Sequence, residues 1–355
     1  MGHSESDDFI IGRDDLILVT GATGFIGSRV VGHLLDLGFR NLRCFARPSS
    51  KMARIQALGE ARRDGARVEL LKGNLLSSED CAAATKDVAV IFHLAAGTGE
   101  KSFPDAFMNS VVTTRNLLEA SLRHGCLRRI VSTSSFAVYT NKHKPLRRLL
   151  DESCPTEERP GKRDAYVFAK VRQDEMVTEY GKKFAIPYVI VRPGSVYGPG
   201  KKVPGRVGID TFGVFLHLGG SNTIPLTYVD NCAEAIALAG LRKGVDGEIF
   251  NIVDDDLPSS RQFLRQYKRN VRRFKSIYVP HAMSYALCYL WERYATWSKG
   301  QLPPAFSRSG WHAFWKKTTY SNEKLKARLS WTPRVPTAEG LKRYFEACRN
   351  EGLDA

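Results

Sequence analysis

The chain has 355 residues, of which 43% are hydrophobic and 25% charged, which excludes a disordered or fibrous protein and suits two domains sharing an interface. Lysine and arginine exceed aspartate and glutamate by 53 to 37, and the net charge of +16 favours anionic partners such as phosphates, nucleotides or an anionic membrane surface. No nucleic-acid partner is expected, because no helix-turn-helix, zinc-finger or RNA-binding signature is present and the positive charge is spread along the chain.

The N-terminal residues and the cysteines indicate the compartment. Residues 1–14 are polar and acidic and lack the apolar core of a secretory signal, so we predict a disordered leader. The seven cysteines are scattered, odd in number and never spaced as C-x-x-C. This pattern predicts reduced thiols, no metal site and a cytoplasmic location.

A glycine turn follows the first predicted strand. The β-branched run at 16–19 is typical of a buried parallel strand, and apolar residues at helical spacing predict a helix over 25–37. Between them, Gly21 permits a tight bend, Gly24 lets backbone N–H groups approach a pyrophosphate, and Gly27 allows close packing of helix on strand. The G-x-x-G-x-x-G spacing in this context predicts a dinucleotide site formed by Gly21, Thr23, Gly24, Phe25, Ile26 and Gly27.

The second predicted strand, 42–46, carries the residues that select the cofactor. NAD-binding units place an acidic residue about 20 positions past the glycine turn, where it hydrogen-bonds the ribose 2′-hydroxyl. Ala46 occupies that position here, followed by Arg47 and by the hydroxyls of Ser49 and Ser50. Because arginine pairs bidentately with phosphate, we predict a preference for NADP(H), with NAD(H) as the alternative cofactor. An ordinary solvated surface arginine is the simpler interpretation of Arg47.

Strands and helices continue to alternate to about residue 199. Short β-branched runs predict strands at 68–71, 88–94, 129–133 and 188–191, and apolar periodicity predicts helices at 78–86, 104–124 and 165–183. The predicted buried stripe of the second of these helices comprises Ala106, Val111, Leu117, Leu118 and Leu122. This alternation predicts an α/β fold with a Rossmann-type, doubly wound parallel sheet.

The pattern becomes irregular and rich in glycine and proline after residue 199. Runs at 224–229 and 248–253 indicate two further strands. We therefore predict an NAD(P)-binding domain over 15–199, to which segments of 224–255 return, and a smaller substrate-binding domain mainly over 200–355.

Tyr166 and Lys170 lie four positions apart in a predicted helix, so their side chains share one face. A free phenol has a pKa near ~10 and is a poor base at neutral pH. An ammonium ~5 Å away favours the phenolate by about 3 kcal/mol at an effective dielectric of ~20, or roughly two pKa units before desolvation is counted. The pair is therefore suited to exchanging a proton with an alcohol or ketone while hydride moves to or from nicotinamide.

A hydroxyl-rich segment, 132–135, follows the predicted strand at 129–133 and lies at the sheet edge where doubly wound folds bind ligands. With its other motifs, the chain resembles the extended short-chain dehydrogenase/reductase family, the NAD(P)-dependent epimerase/dehydratase group. The resemblance covers about residues 15–255. Its motifs are Val19-Thr20-Gly21, Gly73-Asn74-Leu75, His93-Leu94-Ala95-Ala96, Asn109, Thr133-Ser134-Ser135, Tyr166 with Lys170, Arg192-Pro193-Gly194-Ser195-Val196-Tyr197-Gly198-Pro199 and Tyr228-Val229-Asp230.

The resemblance implies a catalytic group. Ser135 holds the substrate oxygen, Tyr166 exchanges its proton, and Lys170 lowers the tyrosine pKa and binds the nicotinamide ribose. Ser134 replaces Ser135 if the turn is offset by one residue. Asn109 steadies the helix-sheet junction or a proton-relay water, and an ordinary capping role is its alternative.

The resemblance also implies cofactor contacts beyond the glycine turn. Asn74 stands where the family usually has an aspartate that contacts adenine, and its amide oxygen can still accept that hydrogen bond. The remaining implied contacts are Leu75, Ala95 and Ala96 near the adenine, ribose and pyrophosphate, and Pro193, Ser195 and Val196 near the nicotinamide, beside Tyr166 and Lys170.

Departures from the family pattern narrow the reaction. Family dehydratases carry an Asp-Glu pair after the active-site threonine, where this chain has Ser134 and Ser135 after Thr133. Sugar-nucleotide epimerases usually have a diphosphate-binding arginine before the Tyr-Val-Asp strand, and this chain has none at 224–227, although Arg206 could substitute. The cofactor strand resembles the 3β-hydroxysteroid dehydrogenase and dihydroflavonol reductase branch. We therefore favour a ketone/alcohol oxidoreductase, with a redox-neutral nucleotide-sugar epimerase holding NAD as the alternative and a non-catalytic regulatory protein as the third class.

The segment 261–297 predicts a surface of unusual character. Seven basic residues and no acid occupy 261–275, and the next predicted helix, 279–297, is too short and too interrupted to span a bilayer. Its stripe of Met283, Leu287, Leu290, Tyr294 and Trp297 predicts a helix packed in the core of the substrate domain. Peripheral contact with the inner face of an anionic membrane is the alternative. A small-molecule substrate is expected, and the helices 104–124 and 165–183 would suit a homodimer like those of the family.

Overall fold

The structure, a computed structural model, describes residues 8–50, 52–60, 65–97, 102–140, 149–201, 206–211, 213–298 and 308–351. The strands are β1 Ile17–Thr20, β2 Asn41–Ala46, β3 Arg67–Lys72, β4 Val90–His93, β5 Arg129–Thr133, β6 Leu149–Leu150, β7 Tyr188–Pro193, β8 Ser195–Tyr197, β9 Gly208–Thr211, β10 Val214–His217, β11 Leu226–Tyr228, β12 Ile249–Ile252, β13 Ser276–Tyr278 and β14 Thr319–Tyr320. The α-helices are α1 Gly27–Asp36, α2 Ala53–Glu60, α3 Ser78–Thr85, α4 Phe103–Ala106, α5 Thr113–Ser121, α6 Ala165–Phe184, α7 Val229–Leu241, α8 Ser260–Asn270, α9 His281–Trp297, α10 Arg308–Phe314, α11 Glu323–Leu329 and α12 Thr337–Glu351.

Seven parallel strands form the main sheet in the order β12-β7-β5-β4-β1-β2-β3, which confirms the predicted Rossmann-type fold. The strand order reverses between β1 and β4, where Thr20 is in register with His93. β1 is buried along its whole length because helices cover both faces, which is why its sequence is a continuous apolar run. A ligand site is expected where the carboxyl ends of β1 and β4 diverge.

Two hydrophobic layers flank the sheet. On one face, Val30 and Leu34 of α1 pack with Ile236 of α7. On the other face, Leu117 of α5 and Val177 of α6 belong to the second layer. Each helix contributes the apolar stripe that its 3.6-residue period places on one side.

The predicted helix at 104–124 contains a π-helical segment, Phe107–Val112, between α4 and α5. The extra residue per turn rotates the two halves relative to each other, which a single helical period cannot predict. Four members of the predicted buried stripe are buried, and the prediction is wrong for Leu122, which is 40% exposed just beyond α5.

The later part of the chain forms small sheets and a separate aromatic cluster. β11, predicted as a strand at 224–229, pairs in parallel with β8 in a two-stranded sheet, whereas β12 joins the edge of the main sheet beside β7. Tyr197, Phe263 and Tyr344 pack together with other apolar residues in this aromatic cluster. The division at residue 199 stays a prediction.

The prediction of a disordered leader over residues 1–14 is wrong for residues 8–14, whereas residues 1–7 lie outside the described part. Phe9 is 6% exposed, its ring centroid lies 5.9 Å from that of Phe39 with the rings tilted by 35°, and Arg13 lies over both rings. The backbone N–H of Ile10 donates to the carbonyl of Leu241. Burial of the Phe9 and Ile11 side chains fixes this segment, although most of its residues are polar.

The stripe of α9 faces solvent, so the prediction that it packs in the core is wrong. Met283, Leu287, Leu290, Tyr294 and Trp297 are 48%, 54%, 60%, 48% and 76% exposed. The opposite face, with Ser284, Cys288 and Ala295, is the buried one. Among the described residues, no helix is both long and apolar enough to cross a membrane.

Candidate cofactor and catalytic site

A cleft of about 730 Å³ opens at the carboxyl ends of β1 and β4, where the strand order reverses. Its walls come from seven stretches of the chain that are far apart in sequence. The lining residues are Gly21, Thr23, Gly24, Phe25, Ile26, Gly27, Phe45, Ala46, Arg47, Ser50, Asn74, Leu75, Leu94, Ala95, Ala96, Gly97, Asn109, Thr113, Thr133, Val196 and Lys201. The structure thus brings together all the cofactor residues predicted between positions 21 and 96.

The glycine turn has room for backbone only. Gly21 has φ of +68°, and a Cβ placed on it would lie 2.8 Å from the backbone nitrogen of Ala95. A Cβ on Gly27 would lie 2.1 Å from the carbonyl oxygen of Gly21. No side chain caps the N-terminus of α1, which points its dipole at the cleft. Backbone N–H groups and a helix N-terminus without a side-chain cap fit a pyrophosphate.

The end of β2 shapes one rim of the cleft. Ala46 is buried, so no carboxylate stands at the position that would bind a 2′-hydroxyl. Arg47 is exposed at the rim, and its carbonyl accepts a hydrogen bond from the Ser50 N–H. A second cation, Lys201, lines the cleft with its ammonium 5.1 Å from the Phe25 ring. Sequence reasoning missed Lys201, which lies in an irregular stretch without motif content.

Asn74 uses its side chain in a local turn. Its Oδ1 accepts a hydrogen bond from the Leu76 N–H at 3.0 Å, and its own N–H donates to Asp80. Thr20 Oγ1 accepts from the Ala95 N–H on the opposite wall. Of the three residues predicted near the nicotinamide, Val196 lines the cleft, while Pro193 is buried in β7 and the Ser195 N–H pairs with Pro225.

Ser135 and Tyr166 lie close enough for the serine side chain to lower the pKa of the tyrosine. Ser135 is the second residue after β5 and begins the short 3-10 helix Phe136–Val138. Tyr166 is the second residue of α6, whose N-terminus is capped by Asp164. Ser134 is buried on the other side of the chain and faces Asp174. The geometry therefore favours Ser135 over Ser134 as the partner of the tyrosine.

Burial raises the pKa of Tyr166, and the hydrogen bond from Ser135 lowers it by less. This direction is opposite to the sequence prediction, which considered the Lys170 ammonium without desolvation. In the absence of cofactor, the phenol is therefore protonated at neutral pH and has a proton to donate.

Lys170 connects the catalytic group to the cleft. Its Nζ donates to the carbonyl oxygen of Thr133 at 2.6 Å and to Gln173 Oε1 at 2.9 Å. Because Thr133 also lines the cleft, the ammonium lies directly behind the cleft wall. Burial lowers the Lys170 pKa to about 8, opposed by the nearby Asp174 carboxylate.

Asn109 lies within the π-helical segment and lines the cleft. Its carbonyl oxygen accepts a hydrogen bond from Thr113 Oγ1. π-segments occur frequently at functional sites, because the extra residue changes which side chains and carbonyls face inward. The helical period alone gave no signal for Thr113 as a second lining residue.

An ion pair explains the arginine in the Arg192-Pro193-Gly194 motif. Arg192 donates to Asp174 Oδ2 through Nε and Nη2 at 3.2 and 3.0 Å, and both residues are buried. The guanidinium also lies 4.7 Å from the centre of the Tyr139 ring. The pair fixes α6, and with it Tyr166 and Lys170, against β7. Within the described ranges, no cluster of three His, Cys, Asp or Glu side chains could hold a metal, and all seven cysteines are free thiols.

Comparisons with known proteins identify the family of the chain. The NAD dependent epimerase/dehydratase family matches residues 17–253. The chain is 27% identical to 3beta-hydroxysteroid-dehydrogenase/decarboxylase isoform 1 of Arabidopsis thaliana, over 93% of this chain and 79% of that protein. It is 33% identical to cinnamoyl-CoA reductase 1 of Oryza sativa subsp. japonica, over 53% of this chain and 55% of the reductase.

Solved structures show the same fold. UDP-glucuronic acid 4-epimerase from Bacillus cereus, in complex with NAD, superposes with a TM-score of 0.71 over 96% of this chain and 99% of that one. Its identity to this chain is 22%, so the likeness concerns the fold.

Proposed function

The chain belongs to the NAD-dependent epimerase/dehydratase family of extended short-chain dehydrogenases/reductases, and from this we propose that it interconverts a carbonyl compound and its secondary alcohol using NADP(H). The observation that carries the proposal is the juxtaposition of Ser135 and Tyr166, with Lys170 at the wall of the dinucleotide cleft, where its Nζ donates to the carbonyl of Thr133. The cofactor, when bound, supplies or accepts the hydride.

The residues of the chain handle the proton. Ser135 orients the substrate oxygen, and the Tyr166 phenol gives its proton to that oxygen in reduction or takes it back in oxidation. The ammonium of Lys170 stabilises the phenolate left behind. Because its pKa is raised, the Tyr166 phenol is still protonated when cofactor and substrate bind.

Two observations favour net redox chemistry over the epimerase alternative. Ile224, at the position of the diphosphate-binding arginine, is fully buried. Arg206, the candidate substitute, donates to the Ala313 carbonyl and to the Tyr320 hydroxyl, and its guanidinium stacks on Phe314. A cation engaged in this way is a poor receptor for a sugar-nucleotide diphosphate.

Cofactor turnover tests the proposal. Purified protein is incubated with NADPH and a panel of ketones, and with NADP and the matching alcohols, while absorbance at the reduced-nicotinamide band is followed. We expect protein that purifies largely free of cofactor and consumes one NADPH per product molecule. Tightly bound NAD together with redox-neutral conversion of a sugar nucleotide would replace this function with the epimerase.

The NADP(H) preference follows from the rim of β2. Arg47 lines the cleft, Ser50 lies beside it, and the acid position holds the buried Ala46. A guanidinium at this rim supplies the fork that a 2′-phosphate accepts, and Ala46 offers no carboxylate to a free 2′-hydroxyl. NAD(H) remains the alternative cofactor.

Contact with an anionic membrane is a second proposal, carried by the exposed stripe of α9. The five stripe residues extend along the helix from Met283 to Trp297 and present apolar and aromatic groups to solvent. Exposed apolar patches of this kind mark interaction sites. An isolated helical face of leucine, tyrosine and tryptophan suits the headgroup boundary of a bilayer.

The positive charge near this helix supports anionic lipid as the proposed partner surface. The basic segment at 261–275 has six exposed cations, Arg261, Arg265, Arg269, Arg272, Arg273 and Lys275. Arg261 lies 5.4 Å over the ring of Tyr278, which is itself 44% exposed and close in sequence to the start of α9. Arg261 thus places one of these cations beside a residue that leads into α9. With this contact, we propose a cytoplasmic protein that attaches peripherally to the inner face of a membrane.

A homodimer is the remaining proposal, through the helices predicted at 104–124 and 165–183. Phe103, Phe107 and Met108 are 39%, 39% and 43% exposed. Phe168 of α6 contacts both phenylalanine rings, with centroids 5.5 and 6.3 Å away. This aromatic patch is suited to self-association because a twofold axis would bury it against its own copy.

A further inference from the structure

A buried chain of hydrogen bonds runs from the cofactor cleft to Lys170. Its members are Thr20, His93, Thr114, Gln173 and Lys170, and each is less than 5% exposed. They come from β1, β4, α5 and α6, so no local sequence pattern connects them. The distances are 2.8 Å from Thr20 Oγ1 to His93 Nδ1, 2.9 Å from His93 Nε2 to Thr114 Oγ1, 2.8 Å from Gln173 Nε2 to Thr114 Oγ1, and 2.9 Å from Lys170 Nζ to Gln173 Oε1.

The direction of every hydrogen bond is determined. Thr114 donates its hydroxyl proton to the carbonyl of Ser110 at 2.6 Å, so its oxygen can only accept from His93 and Gln173. His93 must therefore carry its proton on Nε2. Burial lowers its pKa to about 3, so the ring is neutral and its bare Nδ1 accepts from Thr20. Thr20 in turn accepts from the backbone N–H of Ala95, a cleft residue.

This polarity leaves Gln173 only one orientation. Its amide nitrogen must donate to Thr114, so its amide oxygen must face Lys170. A flipped amide would set an N–H group against the ammonium and a carbonyl oxygen against an oxygen that has no proton left to give. Gln173 is therefore locked as a hydrogen-bond acceptor for Lys170.

We propose that Gln173 is a positioning residue for Lys170, held in its orientation by Thr114 and His93. The proposal rests on the catalytic role proposed for Lys170 above. Gln173 fixes the ammonium between two acceptors, Thr133 and itself, and keeps it charged in a site without solvent. The hydrogen bonds through His93 and Thr20 link the position of the ammonium to the backbone of Ala95, which lines the cleft.

Other charged and titratable groups lie near Lys170 and also affect its pKa. Asp174, one position after Gln173, favours the charged lysine, and neutral His93 adds no charge. Tyr166 lies on the same helix face. Arg192 is paired with Asp174, so that carboxylate is shared between two cations. The acceptor that a single substitution can remove without removing a charge is Gln173.

The test compares Gln173→Leu, which removes the acceptor, with Gln173→Glu, which adds a negative charge to it. The first should lower the Lys170 pKa and move the alkaline fall in turnover to lower pH by about one unit or more, and the second should move it to higher pH. Thr178→Val on the same helix is the control, because its hydroxyl bonds only to the Asp174 carbonyl. Thr114→Val should reproduce a weaker form of the Gln173→Leu shift.

A cofactor-free measurement separates this proposal from the catalytic one. Urea unfolding of the cofactor-free protein between pH 8 and pH 10.5 reports the titration of Lys170, because the unfolded lysine binds a proton that the folded one has lost. Stability should rise with pH across this window, more steeply in Gln173→Leu and less steeply in Gln173→Glu, and neither difference should appear in a Lys170→Met background. Unchanged pH dependence in both Gln173 variants would overturn the positioning role, whereas changed titration with unaffected turnover would overturn the role of Lys170 instead.

Discussion

The ammonium of Lys170 donates a 2.6 Å hydrogen bond to the carbonyl oxygen of Thr133, the residue with which β5 ends at the cofactor cleft. One backbone carbonyl thus joins the wall of the proposed dinucleotide cleft to the ammonium that we propose stabilises the Tyr166 phenolate. A change on either side of this carbonyl is expected to affect the other.

Replacing Tyr166 with phenylalanine removes the proton donor and leaves the ring in place. Turnover should fall by ~10²-fold or more, while the dissociation constant for NADPH changes little. Tyr180→Phe is the matched control, because Tyr180 lies on the same helix and bonds only to the exposed Glu119. Wild-type turnover in the Tyr166 variant would show that another group moves the proton.

Replacing Arg47 with alanine should weaken NADP(H) selectively. Loss of a charge-assisted contact costs about 1.5 to 3 kcal/mol, or roughly ten- to a hundredfold in affinity, whereas affinity for NAD(H) should be nearly unchanged. Arg40→Ala, an exposed arginine paired with Asp14, serves as the control. Titration calorimetry with both cofactors decides the matter, and equal weakening of the two would mean that Arg47 does not contact the 2′-phosphate.

Because His93 is buried as a neutral ring, the free energy of unfolding should fall as the pH falls. Its folded pKa of about 3 lies below the unfolded value of 6.5, so the unfolded state takes up the proton first as the pH falls. The contribution is fully present above pH 6.5, and about 2 kcal/mol of it is lost by pH 5. Unfolding free energies at pH 7 and pH 5 should differ by that much more in the wild type than in His93→Gln. Equal differences would show that the ring is not held neutral.

Vesicle binding tests the exposed stripe of α9. The protein should co-sediment with vesicles of mixed phosphatidylserine and phosphatidylcholine at low salt, and less at high salt because exposed charges are screened. Leu287→Glu combined with Leu290→Glu should abolish binding, whereas Leu122→Glu, at an exposed leucine of α5's end, should not. Absence of wild-type protein from the vesicle pellet at low salt would reject the membrane contact.

Self-association through the aromatic patch is tested by light scattering. Phe107→Glu should convert a dimer into a monomer, because a carboxylate would be buried against its own copy. Ile277→Glu, at an exposed residue of β13, should leave the mass unchanged. A wild-type protein that is monomeric at all concentrations would contradict the proposed homodimer.

The fold and the cleft were accessible from sequence because they depend on local patterns. The run at 16–19 and the glycines at 21, 24 and 27 specify a strand, a turn and a helix within one stretch of chain, and the structure confirms all three elements. Tyr166 and Lys170 were identified in the same way, from helical spacing and a family resemblance.

The sequence could not show which side of an amphipathic helix meets the protein. The stripe on α9 was predicted to be core, but the protein packs the narrower face of Ser284, Cys288 and Ala295 instead. Gln173 gave no signal either, because its meaning depends on Thr114 and His93, which lie 59 and more positions away and come close only in the folded sheet. The effect of desolvation on the Tyr166 pKa could not be predicted either, because the sequence does not show how far this side chain is buried.

The π-helical segment at Phe107–Val112 also bears on how this active site could have arisen. A π-segment holds one residue more than the α-helix it replaces, so a single inserted codon is enough to create one. Removing one residue from the segment would restore the α-helical register and turn everything beyond it by about 100° relative to α4. Thr113 would then no longer line the cleft, and Thr114 would no longer accept a hydrogen bond from Gln173. The gain or loss of one residue would therefore change the cleft lining and the buried hydrogen-bond chain together.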